Sequence, residues 1–135
     1  MDPMGLQAVL IGFHLDDDGV GEELSGILNF MMQFGEPDDL LQMCVNMKEE
    51  GNLLFKKNLY DEALSMYDKA TKLLCFALIE NEEQNSRFFD LAISLNLNLA
   101  LCAFKLNLFA QGRELCSIVL NFYPANVKAL YRRAL

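Results

Sequence analysis

A chain of 135 residues has room for one domain, and with 53% hydrophobic residues it can bury a core. The net charge of −8 is unevenly placed: residues 1–47 hold nine acidic and no basic side chains, whereas residues 48–135 hold ten acidic and eleven basic ones, so the acidity belongs to the leader. No basic stripe interleaved with aromatics points to nucleic acid, no apolar run reads as a bilayer span, and the start lacks the basic segment of an export signal.

In chain order, residues 1–39 form an acidic leader that is partly helical. Its apolar run Leu6–Leu15 fits either a strand or a loose helix, and Asp16–Asp18 follow. Glu22–Phe34 reads as a helix with Leu24, Ile27, Leu28, Met31 and Met32 on one side. The leader is expected to pack that apolar face on the rest of the chain; the alternative is an acidic segment that occupies a binding groove. Gly35–Pro37 ends the segment, and Asp38 and Asp39 are candidates to cap the next helix.

Leu40–Lys56 is predicted to be helical, with Met47, Gly51, Leu54 and Phe55 at helical spacing. A turn at Lys57-Asn58 leads into a helix over Leu59 to about Leu78, where Tyr60, Ala63, Leu64, Tyr67, Ala70 and Leu74 step by three and four. Small residues, Gly51 on the first helix and Ala63 on the second, mark where the two must approach closely.

Ser86–Leu106 is predicted to be a long helix with Leu91, Leu95, Leu99, Cys102 and Leu106 facing its neighbours, followed by a shorter one over Phe109–Leu120. Asn126 is a plausible cap for a helix opening at Val127. These segments repeat. Counting from Cys44, the small and aromatic positions return from Ile93: Ala100 for Gly51, Phe109 for Tyr60, Gly112 for Ala63, Cys116 for Tyr67 and Val119 for Ala70. A third unit opens at Val127, 34 residues after Ile93, while the first two openings are 49 residues apart, one period plus 15 residues. The surplus is assigned to an overrunning second helix of the first unit and the charged run Glu80–Asn85.

The pattern of Gly, large apolar, Tyr, Ala, Tyr and Ala resembles the tetratricopeptide (TPR) repeat. The resemblance implies an all-α fold of helix-turn-helix repeats in a right-handed superhelix, with repeat one at 44–77, an insertion at 78–92, repeat two at 93–126 and a partial repeat three at 127–135 inside a TPR domain spanning 40–135. The chain ends within the first helix of repeat three and therefore reads as truncated.

No nucleophile constellation, phosphate loop or activated carboxylate pair points to catalysis. The cysteines Cys44, Cys75, Cys102 and Cys116 have no CxxC pairing and read as small core residues in a reducing cytoplasm. His14 is the sole histidine, too few for a zinc site or a His-based triad, so neither cofactor nor metal is expected.

The candidate residues are polar groups on first helices. Lys48 and Asn52 are four apart and share a helix face; Lys128 and Arg132 have the same spacing, and Asn98 falls between the pairs. Cations flanking amides suit an extended peptide ending in carboxylates. Singly, each residue has a duller reading: Lys48 a solvated charge, Asn52 and Asn98 satisfied core amides, Arg133 a solvent-facing neighbour, and Phe55 a core aromatic rather than a groove-lining one.

Together the five resemble the carboxylate clamp of TPR co-chaperones, with Lys48 and Asn52 in KEEGN, Asn98 in NLALCAFKL, and Lys128 and Arg132 in KALYR. The resemblance implies cytoplasmic binding of the Glu-Glu-Val-Asp tail of seventy- and ninety-kilodalton heat-shock chaperones. NLALCAFKL, ALYRRAL and the insertion are further similar to the TPR regions of FK506-binding immunophilins. The residues ahead of the repeats are too few for an isomerase domain, so no isomerase activity is expected. The competing expectation is a scaffold that self-associates or docks another helix through Val127, Leu130, Tyr131 and Leu135 of the third repeat.

Overall fold

The computed structural model describes residues 21–122, 128 and 132–134. The run Leu6–Leu15, Asp16–Asp18, His14, the Asn126 cap and the proposed self-association residues Val127, Leu130, Tyr131 and Leu135 lie outside them. Among the described residues there are five helices and no strand: α1 Gly21–Phe34, α2 Pro37–Lys56, α3 Tyr60–Leu74, α4 Glu82–Lys105 and α5 Phe109–Phe122. The all-α expectation holds. Each of α2, α3 and α4 packs on the next, α2 also touches α4, and α1 rests on α3.

The two hairpins, α2–α3 and α4–α5, close identically. Leu59 N–H donates to Leu54 O at 3.0 Å, and 49 residues on Leu108 N–H donates to Ala103 O at 2.7 Å. Asn58 (φ 61°) and Asn107 (φ 64°) hold the left-handed conformation that reverses the chain, a role asparagine fills at low cost. Next to each turn an aromatic pair meets, Phe55 with Tyr60 at 5.1 Å between ring centres and Phe104 with Phe109 at 6.3 Å. The repeat is thus present in the backbone as well as in the letters.

Close approach is arranged differently in the two hairpins. A Cβ at Gly51 would lie 2.6 Å from the Tyr67 ring, and a Cβ at Gly112 would lie 2.6 Å from the Phe104 ring. In the first hairpin the small residue is on the leading helix; in the second it is on the trailing one.

Three boundaries depart from expectation by three or more residues. Helix α2 starts at Pro37 rather than Leu40, because Pro fits the first helical turn and Asp39 Oδ2 accepts from Glu36 N–H at 2.9 Å. Asp38, expected to be a cap, lies inside the first turn. Helix α3 stops at Leu74 instead of running to Leu78: Phe76 N–H and Ala77 N–H turn back to Leu73 O and Leu74 O, and Cys75 and Ala77 bury there.

The surplus residues extend α4 instead, which begins at Glu82, not Ser86. Asn81 Oδ1 accepts from Gln84 N–H at 2.9 Å, while Gln84 Oε1 accepts from Glu80 N–H at 2.8 Å. The added turns reach α2, where Asp38 Oδ1 accepts from Arg87 at 3.2 Å and from Gln84 Nε2 at 3.4 Å.

The core runs through all five helices. Leu24 and Leu28 of α1 are buried, with Ile27 partly buried against them, so the leader's second half packs on the stack as expected. Helix α4 contributes Phe88, Phe89, Leu91, Ala92, Leu95, Leu99 and Cys102. By length and composition α4 could cross a bilayer, which corrects the sequence-level expectation; its apolar faces are mostly buried between neighbouring helices instead.

Candidate functional site

Helices α2 and α4 lie side by side, and α3 packs against both, so a polar tip on α3 can reach the seam between them. A recess of about 210 Å³ opens there, lined by Asn52, Phe55 and Lys56 of α2, Tyr67 of α3, and Asn98 and Leu101 of α4. Its floor is a small polar network. Tyr67 O–H donates to Asn52 Oδ1 at 2.5 Å, and Asn98 Nδ2 donates to the same oxygen at 3.4 Å. Asn52 and Asn98, 46 residues apart in sequence, are thereby neighbours.

Burial, and secondarily the nearby Cys102, pushes the Tyr67 hydroxyl up from 10 to about 12. It remains a donor at neutral pH. The ring is held by the core, with only 2% of its surface exposed.

The predicted residues divide as follows. Asn52, Asn98 and Phe55 line the recess, and Phe55 is half-buried with its ring on Tyr60. Lys48 is half-buried one turn before Asn52, outside the lining, and makes no ion pair among the described residues. Lys128 is helical and exposed.

Arg132 is half-buried, and its Nη1 donates to Leu97 O at 2.7 Å, next to Asn98 but on the backbone. Burial lowers its guanidinium from the ordinary value, and the Cys116 thiol partly offsets this. Arg133 is exposed.

Three lining residues, Lys56, Tyr67 and Leu101, are not among the sequence candidates. Lys56 continues the Lys48–Asn52 stripe by another four residues, a spacing visible in the letters. Tyr67 falls on the apolar face of its helix, and only its polar tip, which phenylalanine would lack, sets it apart in the sequence. Beyond the recess, Lys105 Nζ stands 5.8 Å from the Tyr60 ring centre, adding a cation near its end.

All four cysteines are buried, and none of them is in a disulfide. Burial is the main cause of their raised values, to about 12 at Cys44 and Cys75 and about 11 at Cys102, with Cys116 also raised against the pull of Arg132 and Arg133. They are core groups rather than thiolate nucleophiles. No group of three or more potential metal-binding side chains occurs among the described residues.

No family model matches the chain. Over 126 residues, 93% of the chain, it is 30% identical to the Arabidopsis thaliana peptidyl-prolyl cis-trans isomerase PASTICCINO1. Over 96 residues it is 31% identical to the human peptidyl-prolyl cis-trans isomerase FKBP4, covering 71% of the chain. These matches span 18% and 21% of the relatives, so the chain corresponds to about a fifth of their length.

Among solved structures, the C-terminal TPR-containing domain of a Plasmodium falciparum FK506-binding protein superposes with a TM-score of 0.68 at 32% identity, covering 73% of the chain and 66% of that domain's chain. With two identically closed hairpins, a seam between their leading helices and this likeness, the chain is a tetratricopeptide-repeat protein whose repeats match the TPR region of the FK506-binding immunophilins.

Proposed function

We propose that the chain is a non-catalytic, cytoplasmic interaction module that binds the acidic carboxyl-terminal tail of seventy- and ninety-kilodalton heat-shock chaperones. The observation that carries the reading is the meeting of Asn52 and Asn98 in one recess, with Lys48 and Lys56 on the same helix stripe. Amide donors direct hydrogen bonds to a carboxylate, and surrounding cations neutralise it; a tail ending in two acidic groups and an aliphatic residue uses both, with the aliphatic side chain against Phe55 and Leu101. Lys128 supplies the far cation. Arg132 takes part with the N–H groups that it does not give to Leu97.

The test is calorimetric titration of the chain with a short peptide ending in Glu-Glu-Val-Asp. Micromolar binding is expected, lost with an amidated peptide and in the Lys48→Ala/Arg132→Ala double variant, whose fold is checked by circular dichroism. A folded wild-type chain that ignores the peptide would overturn the reading and favour a scaffold that docks partners elsewhere. The reading also assigns no prolyl isomerase activity to residues 1–135; measurable turnover by the purified chain would contradict it.

A further inference from the structure

We propose that Tyr67 is a positioning residue for this recognition: its hydroxyl sets the orientation of the Asn52 amide, so that the NH2 group of Asn52 is offered to an anionic ligand. The inference rests on the tail-binding reading above.

An asparagine side chain presents an acceptor on one side and two donors on the other, and a half-turn of the amide exchanges them. A carboxylate ligand only accepts, so a single orientation of Asn52 serves it. That choice is made from beneath. The Tyr67 O–H, a donor throughout the neutral range, requires an acceptor and finds Asn52 Oδ1. Asn98 Nδ2 approaches the same oxygen. Both lone pairs of Oδ1 are thus engaged, while Asn52 Nδ2 donates to none of the described residues and is left for a ligand in the recess.

The hydroxyl can do this because the ring cannot swing away. Tyr67 is enclosed by the core, and the missing side chain at Gly51 lets the ring lie directly against α2, one residue before Asn52. Repeat two has no such device, since Cys116 stands at the matching position. Phenylalanine in place of Tyr67 would keep the packing and lose only the polar fix, which separates positioning from core support.

The experiment is a double-mutant cycle of Tyr67→Phe and Asn52→Ala in the full chain, read by titration with the Glu-Glu-Val-Asp peptide, together with NMR relaxation of the Asn52 side-chain amide. Tyr67→Phe alone is expected to weaken binding roughly fivefold, the scale of one lost hydrogen bond, and to add nothing in the Asn52→Ala background. The Asn52 amide is expected to be as ordered as the α2 backbone in the wild type and looser in Tyr67→Phe.

Tyr67→Phe binding within about twofold of wild type overturns the proposal, as does an equal loss with and without Asn52, because a packing defect acts in both backgrounds. Absence of wild-type binding condemns the tail reading itself. The amide measurement then decides the orientation separately, and unchanged order in Tyr67→Phe overturns it.

Discussion

Tyr67 and Gly51 show how far one atom's space matters in this chain. The glycine stands where α2 and α3 meet, and a methyl group there would collide with a ring that has no room to retreat. Gly51→Ala is therefore expected to destabilise the fold by about 1–3 kcal/mol, the usual cost of overpacking, as a lowered urea midpoint at unchanged slope. A variant as stable as the wild type would mean that the ring can move.

The turn residue Asn58 poses a backbone question instead. Asn58→Ala keeps a β-carbon in the left-handed region but loses the polar side chain that makes that region tolerable, and is expected to cost about 1 kcal/mol, whereas Asn58→Gly should stay within a few tenths of a kcal/mol. Equal losses in both would shift the explanation to the exposed bond from Tyr60 O–H to Asn58 Oδ1.

At the scale of helices, the interesting element is α4. Its start was concealed in the sequence because Glu80–Asn85 is charged and looks like a loop. The signal was present nonetheless: Asn81 followed three residues later by Gln84 is a capping pattern, and it sets the helix at Glu82. Asn81→Ala is expected to cost about 1 kcal/mol and to raise amide hydrogen exchange in the first turn of α4 above that in its middle. Uniform exchange along α4 would argue that contacts with α2, through Asp38, Gln84 and Arg87, hold the end without the cap. The end of α3 had no comparable signal. Periodicity carries on to Leu78, and only the burial of Cys75 and Ala77 explains why the chain turns at Leu74.

The whole molecule responds to pH through its buried thiols. Cys44, Cys75 and Cys102 titrate near 9 when unfolded and only at about 12, 12 and 11 when folded. Above pH 9 the unfolded chain loses protons that the folded one keeps. The stabilisation is therefore complete below about pH 9 and is lost as pH rises toward 12. Each thiol contributes up to about 1.4 kcal/mol per pH unit in that window.

Urea unfolding should give a stability that is level across neutral pH and falls between pH 9 and about 10.5, less steeply in Cys102→Ala. A fall of equal slope in that variant would remove Cys102 from the account. The charge distribution gives the other molecular response. With its cations partly exposed, the tail-peptide affinity should drop several-fold between about 50 mM and 500 mM salt, and a salt-independent constant would argue against a cationic groove.

What the amino-acid order determined on its own was the periodic part. Apolar spacing decides which face of a helix must be buried, and the recurrence of Gly51, Tyr60 and Ala63 as Ala100, Phe109 and Gly112 made two hairpins and their turns legible. It also placed Lys48 and Asn52 on one stripe. The tertiary structure alone decided which polar tips meet. Asn52 Oδ1 finds Tyr67 fifteen residues away and Asn98 46 away, and Arg132 spends a donor on the Leu97 backbone. A hydrogen bond is directional and short, so its partner depends on how three helices seat against one another. Burying an apolar face needs only the right spacing.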